Sequence, residues 1–335
     1  MKKAIYSSLK RKISFVLIIA IFASSGIFSS CAPVSSATST ALTLNNVPVS
    51  NDVFAYFIDC AMNELGKETD ENSILTKAIY LTEIYFKTNS LAHSQGITLT
   101  TADKAAVSEK VNAYWGIYGE YYTSINVSKE TLTKIFTAET YRNKLLVHYY
   151  AEGGEEEIGV ATMYAYFRAN YIVFQSINGY FTYMDDTGNT VIYPPQTIEE
   201  IIMKFQNMAN LINAKEKTME EAADFLAASG YSSSVVTLVL NKNDTSYPAG
   251  FFDKVKNTKA RVATVIGTNE YIFIVVRGDA GVTSEYYLEK KEEILTALVG
   301  DKIDVKIENS ISVESSLDDK NTEPIYLLVK QEKES

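Results

Sequence analysis

The sequence predicts an α+β protein in which helices fill the first half of the chain and strands begin only afterwards. Apolar residues recur at helical spacing from about residue 51 to 152. Beyond that point, short β-branched and aromatic runs alternate with helices in the order β-α-α-β-α-β-β, once a hairpin is set aside as an insertion. Because helices and strands are segregated along the chain, we expect a helical region and a small antiparallel sheet.

The N-terminus has the composition of an export signal that ends at a cysteine. Five basic residues lie within the first 12 positions, a mostly apolar run follows, and Ser29-Ser30-Cys31 puts small residues before the cysteine. This ending resembles the lipobox of bacterial lipoproteins, in which the cysteine is lipidated. Phe28 departs from that motif, which more often has Leu, Val or Ile there. A plain signal peptide and an uncleaved membrane anchor are the open alternatives.

We therefore predict a lipoprotein signal peptide at 1–30, lipidation of Cys31 and a flexible tether at 31–43. The mature protein would be lipid-anchored on the extracytoplasmic face of the cell membrane, in an envelope of Gram-positive type. Its second cysteine, Cys60, would then have no partner for a disulfide. We interpret Cys60 as a small buried hydrophobe, with a reactive thiol as the alternative.

The net charge of the chain limits the classes of partner that it can bind. Removing residues 1–30 takes away five basic residues and no acidic ones, which leaves 26 Lys and Arg against 41 Asp and Glu, a formal net charge of −15. Nucleic acid is excluded as a partner by this acidity, because its phosphates require neutralisation by Lys and Arg. The same acidity keeps a tethered domain away from an anionic lipid surface.

Each helix of the first half has a start and a stop signal. A short strand and turn at 42–49 precede a helix that Asn51 or Asp52 caps and Gly66 ends. The second helix runs from about residue 72 to 94. Thr101 caps the third helix and Ser128 the fourth, which Gly153-Gly154 closes.

The second half is predicted as short elements. Helices are expected at 155–167, 197–214, 218–228, 251–255 and from residue 283 or 284 onwards. Strands are expected at 171–175, 180–183, 190–193, 235–240, 261–266, 270–276, 302–307 and 310–313. The hairpin turn at Asp185–Asn189 resembles a calcium loop only superficially, because the later liganding carboxylates are missing.

The sequence gives little support for a metal site or a cofactor site. The two histidines, His93 and His148, lie in helical segments without Cys or carboxylate partners at ligand spacing, so no zinc site is expected. Glycine-rich phosphate loops and nucleophile elbows are not found in the sequence. We therefore predict no metal, no cofactor and no catalytic residue.

Tyrosine is unusually abundant, with 23 residues in the chain. A cluster on the third predicted helix comprises Tyr114, Tyr118, Tyr121 and Tyr122. Tyr buries area while keeping a polar tip, so wet clefts that hold apolar peptide segments favour it. We predict that these four residues bind peptide, with a core or half-buried structural role as the alternative.

Several segments in order resemble the SurA/PrsA-type extracytoplasmic foldases. Leu44 to Phe54 is similar to the family's opening strand and first helix, and Ala92 to Thr100 resembles the "Ala-x-x-x-Gly-Ile-x-Val-(Ser/Thr)" junction. Ser128 to Leu132 resembles the start of its next long helix. Glu285 to Val313 resembles the closing helix and strand, which in the family pack on the N-terminal domain.

The resemblance implies a helical SurA-N-like domain at 44–167 and an inserted parvulin-like domain at 168–279. A C-terminal helix and strands at 280–315 would complete the helical domain, and 316–335 would be a polar tail. Parvulins carry a histidine on their first and on their last strand; here those strands read Tyr171 to Phe174 and Glu270 to Phe273. The short helix does resemble the family through Tyr247 to Phe252, which implies that Phe251 and Phe252 bind peptide.

The resulting prediction is a membrane-anchored extracytoplasmic chaperone that binds unfolded or nascent exported polypeptides. Its parvulin-like domain would be degenerate, since both histidines are absent. An active peptidyl-prolyl isomerase is the first alternative, because isomerisation needs no nucleophile. A solute-binding lipoprotein is disfavoured, because helices precede strands instead of alternating with them.

Overall fold

The computed structural model describes residues 40–66 and 68–334, and these form two compact units. The helical unit comprises the described residues up to Glu157 and those from Leu295 onwards. The sheet unit comprises Ile158–Ile294. The predicted boundaries at 167/168 and 279/280 therefore do not coincide with these divisions. The predicted signal peptide and Cys31 lie outside the described residues.

The described residues contain eleven helices and nine strands. The helices are α1 (Asn51–Leu65), α2 (Glu71–Ser94), α3 (Thr101–Ser124), α4 (Lys129–Tyr150), α5 (Val160–Asn170), α6 (Pro195–Asn213), α7 (Met219–Ala228), α8 (Phe251–Lys256), α9 (Glu285–Glu289), α10 (Lys291–Glu308) and α11 (Asp319–Glu334). The strands are β1 (Leu42–Leu44), β2 (Val47–Val49), β3 (Tyr171–Tyr180), β4 (Thr182–Met184), β5 (Thr190–Ile192), β6 (Ser232–Asn241), β7 (Ala263–Gly267), β8 (Tyr271–Arg277) and β9 (Ser315–Leu317).

The fold is α+β, as predicted, with a helical part and small antiparallel sheets. The first four helices lie close to their predicted bounds. Three begin at capping side chains: Asp70 on α2, Thr100 on α3 and Ser128 on α4 each accept a hydrogen bond from a backbone N–H of the first turn. The cap of α3 is thus Thr100 and not the predicted Thr101, which is already the first residue of the helix. The cap of α1 is Ser50, not Asn51 or Asp52, and its side chain makes no capping hydrogen bond.

A three-stranded sheet of order β2-β1-β9 joins the two ends of the described chain. Its central strand, β1, pairs Leu42 with Val49 on one side and with Leu317 on the other. Ala41 and Leu42 are buried. The last residues of the predicted 31–43 tether are therefore part of the core, because this strand supplies apolar side chains to it.

The C-terminal predictions are wrong in three places. Residues 302–307, expected as a strand, continue α10, and 310–313 form no strand. The expected polar tail contains β9 and α11. The reason is a shared pattern: Ile303 and Ile307 fit a strand of alternating residues, but with Val299 they are buried at helical spacing along α10. On α11, Tyr326 and Val329 are buried as well.

The sheet unit is built on a four-stranded antiparallel sheet of order β6-β3-β8-β7. On one face α6 and α7 bury Phe205 and Leu226 against Ile177 and Ile274. On the other face, α8 contributes Phe251, which packs with side chains of the two central strands, among them Phe174, Phe273 and Val275. The predicted hairpin forms β4 and β5, and Asp185 accepts backbone hydrogen bonds from Thr187 and Asn189 in its turn. The helix expected at 155–167 lies instead at 160–170.

No helix in the described part of the chain is long and apolar enough to cross a membrane.

Candidate functional site

The tyrosines of α3 form a row of ring contacts, here called the aromatic ladder. Tyr114 lies 5.3 Å from Tyr118, and Tyr118 lies 6.4 Å from Tyr122, measured between ring centroids. The ladder continues into the neighbouring helices, with Tyr114 at 5.2 Å from Phe136 of α4 and Tyr122 at 6.1 Å from Tyr56 of α1. Because the residues are four apart, they project from one side of α3.

The four tyrosines that are predicted to bind peptide differ in their exposure to solvent. Tyr122 is only 8% exposed, and burial raises its pKa. Tyr114 and Tyr118 are half-buried, and burial also raises the pKa of Tyr114. Tyr114 and Tyr118 thus keep accessible ring area while their neighbours hold them in place, whereas Tyr122 belongs to the core.

Tyr121 takes part in a buried polar cluster. Its hydroxyl donates to the carboxylate of Asp59, which is 3% exposed on α1. Lys333 of α11 places its Nζ 2.5 Å from the same carboxylate, and Asn63 donates to it at 3.2 Å. The same Nζ also donates to Asn63 Oδ1 at 2.8 Å. This Asp59 cluster therefore connects α1, α3 and α11, and the position of Tyr121 is structural.

Cys60 lies beside this cluster. It is partly buried, and desolvation together with the Asp59 carboxylate raises the pKa of its thiol. A thiol held in the protonated form is a poor nucleophile. This observation favours the interpretation of Cys60 as a packing residue.

Beside the ladder, α3 has a shallow groove that the sequence interpretation did not include. Its described lining comes from α3 alone: Trp115, Gly119, Glu120, Thr123 and Ser124. The indole of Trp115 lies against Gly119, where an added Cβ would approach Nε1 to 2.9 Å. Nearby Ile117 is 69% exposed. The sequence signal for this groove is the spacing of a large ring and small residues at 115, 119 and 123.

The two phenylalanines of α8 have different environments. Phe251 is fully buried, with ring centroids of Tyr247 and Phe273 both at 4.6 Å. It therefore supports the sheet face and offers no surface to a peptide. Phe252 is half-buried, and Lys256 Nζ lies 5.4 Å from its ring centroid. Of the pair, only Phe252 has the exposure that the predicted peptide contact requires.

A polar group lies under these rings. Ser176 Oγ donates to Asn178 Oδ1 at 2.8 Å. Burial raises the pKa of the Tyr247 hydroxyl, and the Ser176 and Asn178 side chains oppose that rise. On β8, Phe273 is the cross-strand partner of Asn178. The sequence has no histidine between residues 158 and 294. This face therefore combines aromatic rings with neutral hydroxyl and amide groups.

Set against the parvulin motif Gly-(Tyr/Trp)-His-Ile, the segment Glu270 to Phe273 has Ile272 at the position of the histidine, and Ile272 lies on the opposite face. Ile272 is fully buried, and its cross-strand partner is Gly179. A Cβ on Gly179 would overlap the ring of Phe205 and the carbonyl of Tyr231. The space around this pair is therefore filled by the core. Among the described residues, no group of three His, Cys, Asp or Glu side chains could hold a metal ion.

Comparisons with known proteins find similar solved structures, among them two foldase structures. No family model matches the chain, and no curated protein matches its sequence. The crystal structure of foldase protein PrsA from Streptococcus pneumoniae is similar over 85% of this chain and 83% of that chain, with 13% identity and a TM-score of 0.31. Foldase protein PrsA from Lactococcus lactis is similar over 87% of this chain and 99% of that chain, with 11% identity and a TM-score of 0.34. At these values the likenesses establish neither a shared family nor a shared function.

Proposed function

We propose that the protein is a membrane-anchored, extracytoplasmic chaperone that binds unfolded exported polypeptides. The observation that carries this proposal is the accessible aromatic surface of α3. Tyr114 and Tyr118 are half-buried in the aromatic ladder, and Ile117 between them is largely exposed. Rings that neighbours already hold in place lose little conformational entropy on binding, so they suit contacts with apolar segments of varied sequence.

The chemistry of this surface fits unfolded chains better than a small ligand. Contacts to tyrosine rings and hydroxyls place few demands on the sequence of the bound segment. The groove beside Trp115 is shallow and carries the carboxylate of Glu120. Because the mature chain has a formal net charge of −15, basic or neutral clients are favoured over acidic ones.

We expect the chain from residue 31 to 335 to bind reduced, carboxamidomethylated lysozyme and to suppress its aggregation, since that client is unfolded and basic. Native lysozyme is the matched control, because it has the same charge with its apolar segments buried. Fluorescence anisotropy of the labelled client gives both affinities, and light scattering measures the aggregation. Equal binding of the native and unfolded forms would show that charge alone drives the interaction.

The membrane attachment is proposed from the sequence around Cys31, which precedes the described residues. We expect Cys31→Ala to abolish metabolic labelling with a fatty acid and to release the protein from membranes. A diacyl unit supplies two chains, and each buried methylene contributes about 0.8 kcal/mol, enough for stable attachment. Fractionation and labelling of cells measure both effects. Labelling that persists in Cys31→Ala rules out lipidation at this residue.

Prolyl isomerisation is a second candidate, favoured by the hydrogen-bonded Ser176 and Asn178 and by the Tyr247 hydroxyl, whose pKa these two side chains affect, on the aromatic face of the sheet unit. Catalysis would have to lower a barrier of about 18–20 kcal/mol with neutral groups alone. We expect the full mature chain not to accelerate cis/trans exchange of a proline tetrapeptide above background. An accelerated rate that Phe252→Ala reduces would establish the isomerase instead.

The solute-binding alternative receives no support from the described strands. They form antiparallel sheets, and the long helices α1–α4 precede the sheet unit. Solute sites in doubly wound proteins lie at the ends of parallel strands.

A further inference from the structure

We infer that the outer edge of β6 binds an extended segment of the client by adding it as a fifth strand of the sheet. This inference rests on the proposed function and names a second contact through which an unfolded chain would be held. It concerns backbone hydrogen bonds, so it is independent of the tyrosines on α3.

β6 is the longest edge strand in the described part of the chain. It lies at one end of the order β6-β3-β8-β7 and pairs with β3 on one side only. From Val235 to Asn241 the register with β3 is unbroken, and the irregularity falls earlier, opposite Ile177 and Gly179. Seven residues in regular pairing extend over about 23 Å, long enough for several hydrogen bonds to an added strand.

The opposite edge of the sheet is closed by side chains. Asn213 of α6 donates to the Ala263 carbonyl at 2.9 Å and accepts from the Ala263 N–H at 2.8 Å. Lys254 Nζ donates to the carbonyl of Gly267 at 2.9 Å. Both ends of β7 are thus satisfied, and an incoming strand would have to displace these groups.

No side chain among the described residues hydrogen-bonds to the backbone of residues 235–240 of β6 in this way. Apart from the ladder with β3, no hydrogen bond to the backbone of residues 235–240 is found there. α7 approaches β6 through Ala222, Ala223 and Leu226, which share a core with Val235 on the helix-covered face. Outward backbone groups of an edge strand are a template for pairing with another chain.

The residues of β6 lack the usual devices that protect an edge. No charged residue or proline occurs from Ser232 to Asn241, and four of the five residues from 235 to 239 are β-branched. Ser234 and Thr237 are exposed along it. An uncharged edge of this kind fits an uncharged, β-branched segment of a client, recognised by its backbone with small side chains alongside.

A second copy of the chain is the competing occupant, and the charge argues against it. Two mature chains would each bring a formal net charge of −15 to the contact. Repulsion of this size opposes self-association, whereas a neutral or basic client segment is not repelled. We therefore assign the edge to the client.

The test follows amide hydrogen exchange of the full mature chain by mass spectrometry. The probe is a peptide of three Thr-Val repeats between two lysines, and its control has the same side chains with every backbone nitrogen methylated. We expect the first peptide to slow exchange in residues 235–240 about tenfold and the methylated peptide to have no effect. Thr237→Lys should abolish the protection, while Thr264→Lys, the matched change on the closed edge β7, should leave it intact.

The outcomes separate this inference from the proposed function. If the chain still binds unfolded lysozyme but residues 235–240 show no protection by the unmethylated peptide, the edge is not the contact and the inference is wrong. If neither lysozyme nor the peptide binds, the proposed function fails together with the inference. Protection that rises with protein concentration in the absence of peptide assigns the edge to a second copy, which also overturns the inference.

Discussion

Lys333→Met should lower the free energy of unfolding of the helical unit by about 3–5 kcal/mol. The Asp59 carboxylate is buried on α1, and Lys333 Nζ lies 2.5 Å from it. The side chains of Asp59 and Lys333 are only 4% and 12% exposed, so water does not replace the lost ammonium. Tyr121 and Asn63 can still donate hydrogen bonds, but the variant leaves a buried negative charge without its cation.

Urea unfolding followed by fluorescence measures this loss, because the single tryptophan of the chain, Trp115, lies on α3 in the helical unit. Lys330→Met is the matched control: Lys330 Nζ lies 6.0 Å from the ring of Tyr326 on the same helix, an arrangement that contributes about 0.5–1 kcal/mol at exposed sites. Combining Lys333→Met with Asp59→Asn removes the unpaired charge and should recover part of the stability. A loss no larger than that of Lys330→Met would contradict the structural role of the Asp59 cluster.

The helices of the first half were predictable because their signals are local. The pair Thr100 and Asp103 forms a capping box at the start of α3, with each side chain bonded to the backbone of the other residue. The Ser128 cap of α4 is equally local. The α+β class followed from the order of such segments, without knowledge of any long-range contact.

The secondary structure of the C-terminal segment could not be predicted from local signals, because its pattern of apolar residues fits both a strand and a helix. Ile303, Val305 and Ile307 alternate like a strand, yet only Ile303 and Ile307 are buried, while Val305 is 56% exposed. Packing against the helical unit selects the helix. The sequence predicts a polar tail around residue 333, because no local pattern indicates the partner of Lys333. That partner is the carboxylate of Asp59, 274 positions earlier in the chain.

The sequence indicates which residue types occur at the candidate site, but it does not indicate how they are arranged in space. A cluster of tyrosines on α3 was visible in the sequence, but which rings face the core depends on Phe136 and Tyr56 in neighbouring helices. The sequence likewise named Phe251 and Phe252 together, although Phe251 is fully buried. The open edge of β6 depends on strand order, which non-local pairing determines.

The proposal that α3 holds unfolded chains is tested most directly by the affinity of Tyr114→Ser/Tyr118→Ser for unfolded, carboxamidomethylated lysozyme. Tyr121 and Tyr122 are left unchanged, because one bonds to Asp59 and the other is buried. Aromatic anchors of an interface typically contribute about 1–2 kcal/mol each, so losing two of them should raise the dissociation constant about thirtyfold or more.

Tyr141→Ser is the control, because Tyr141 is a half-buried tyrosine of α4 whose ring contacts His93 rather than the aromatic ladder. Circular dichroism first establishes that each variant is folded. We expect weakened binding for the double variant and unchanged binding for Tyr141→Ser. A folded double variant that binds unfolded lysozyme as tightly as the unmodified chain would contradict the proposal.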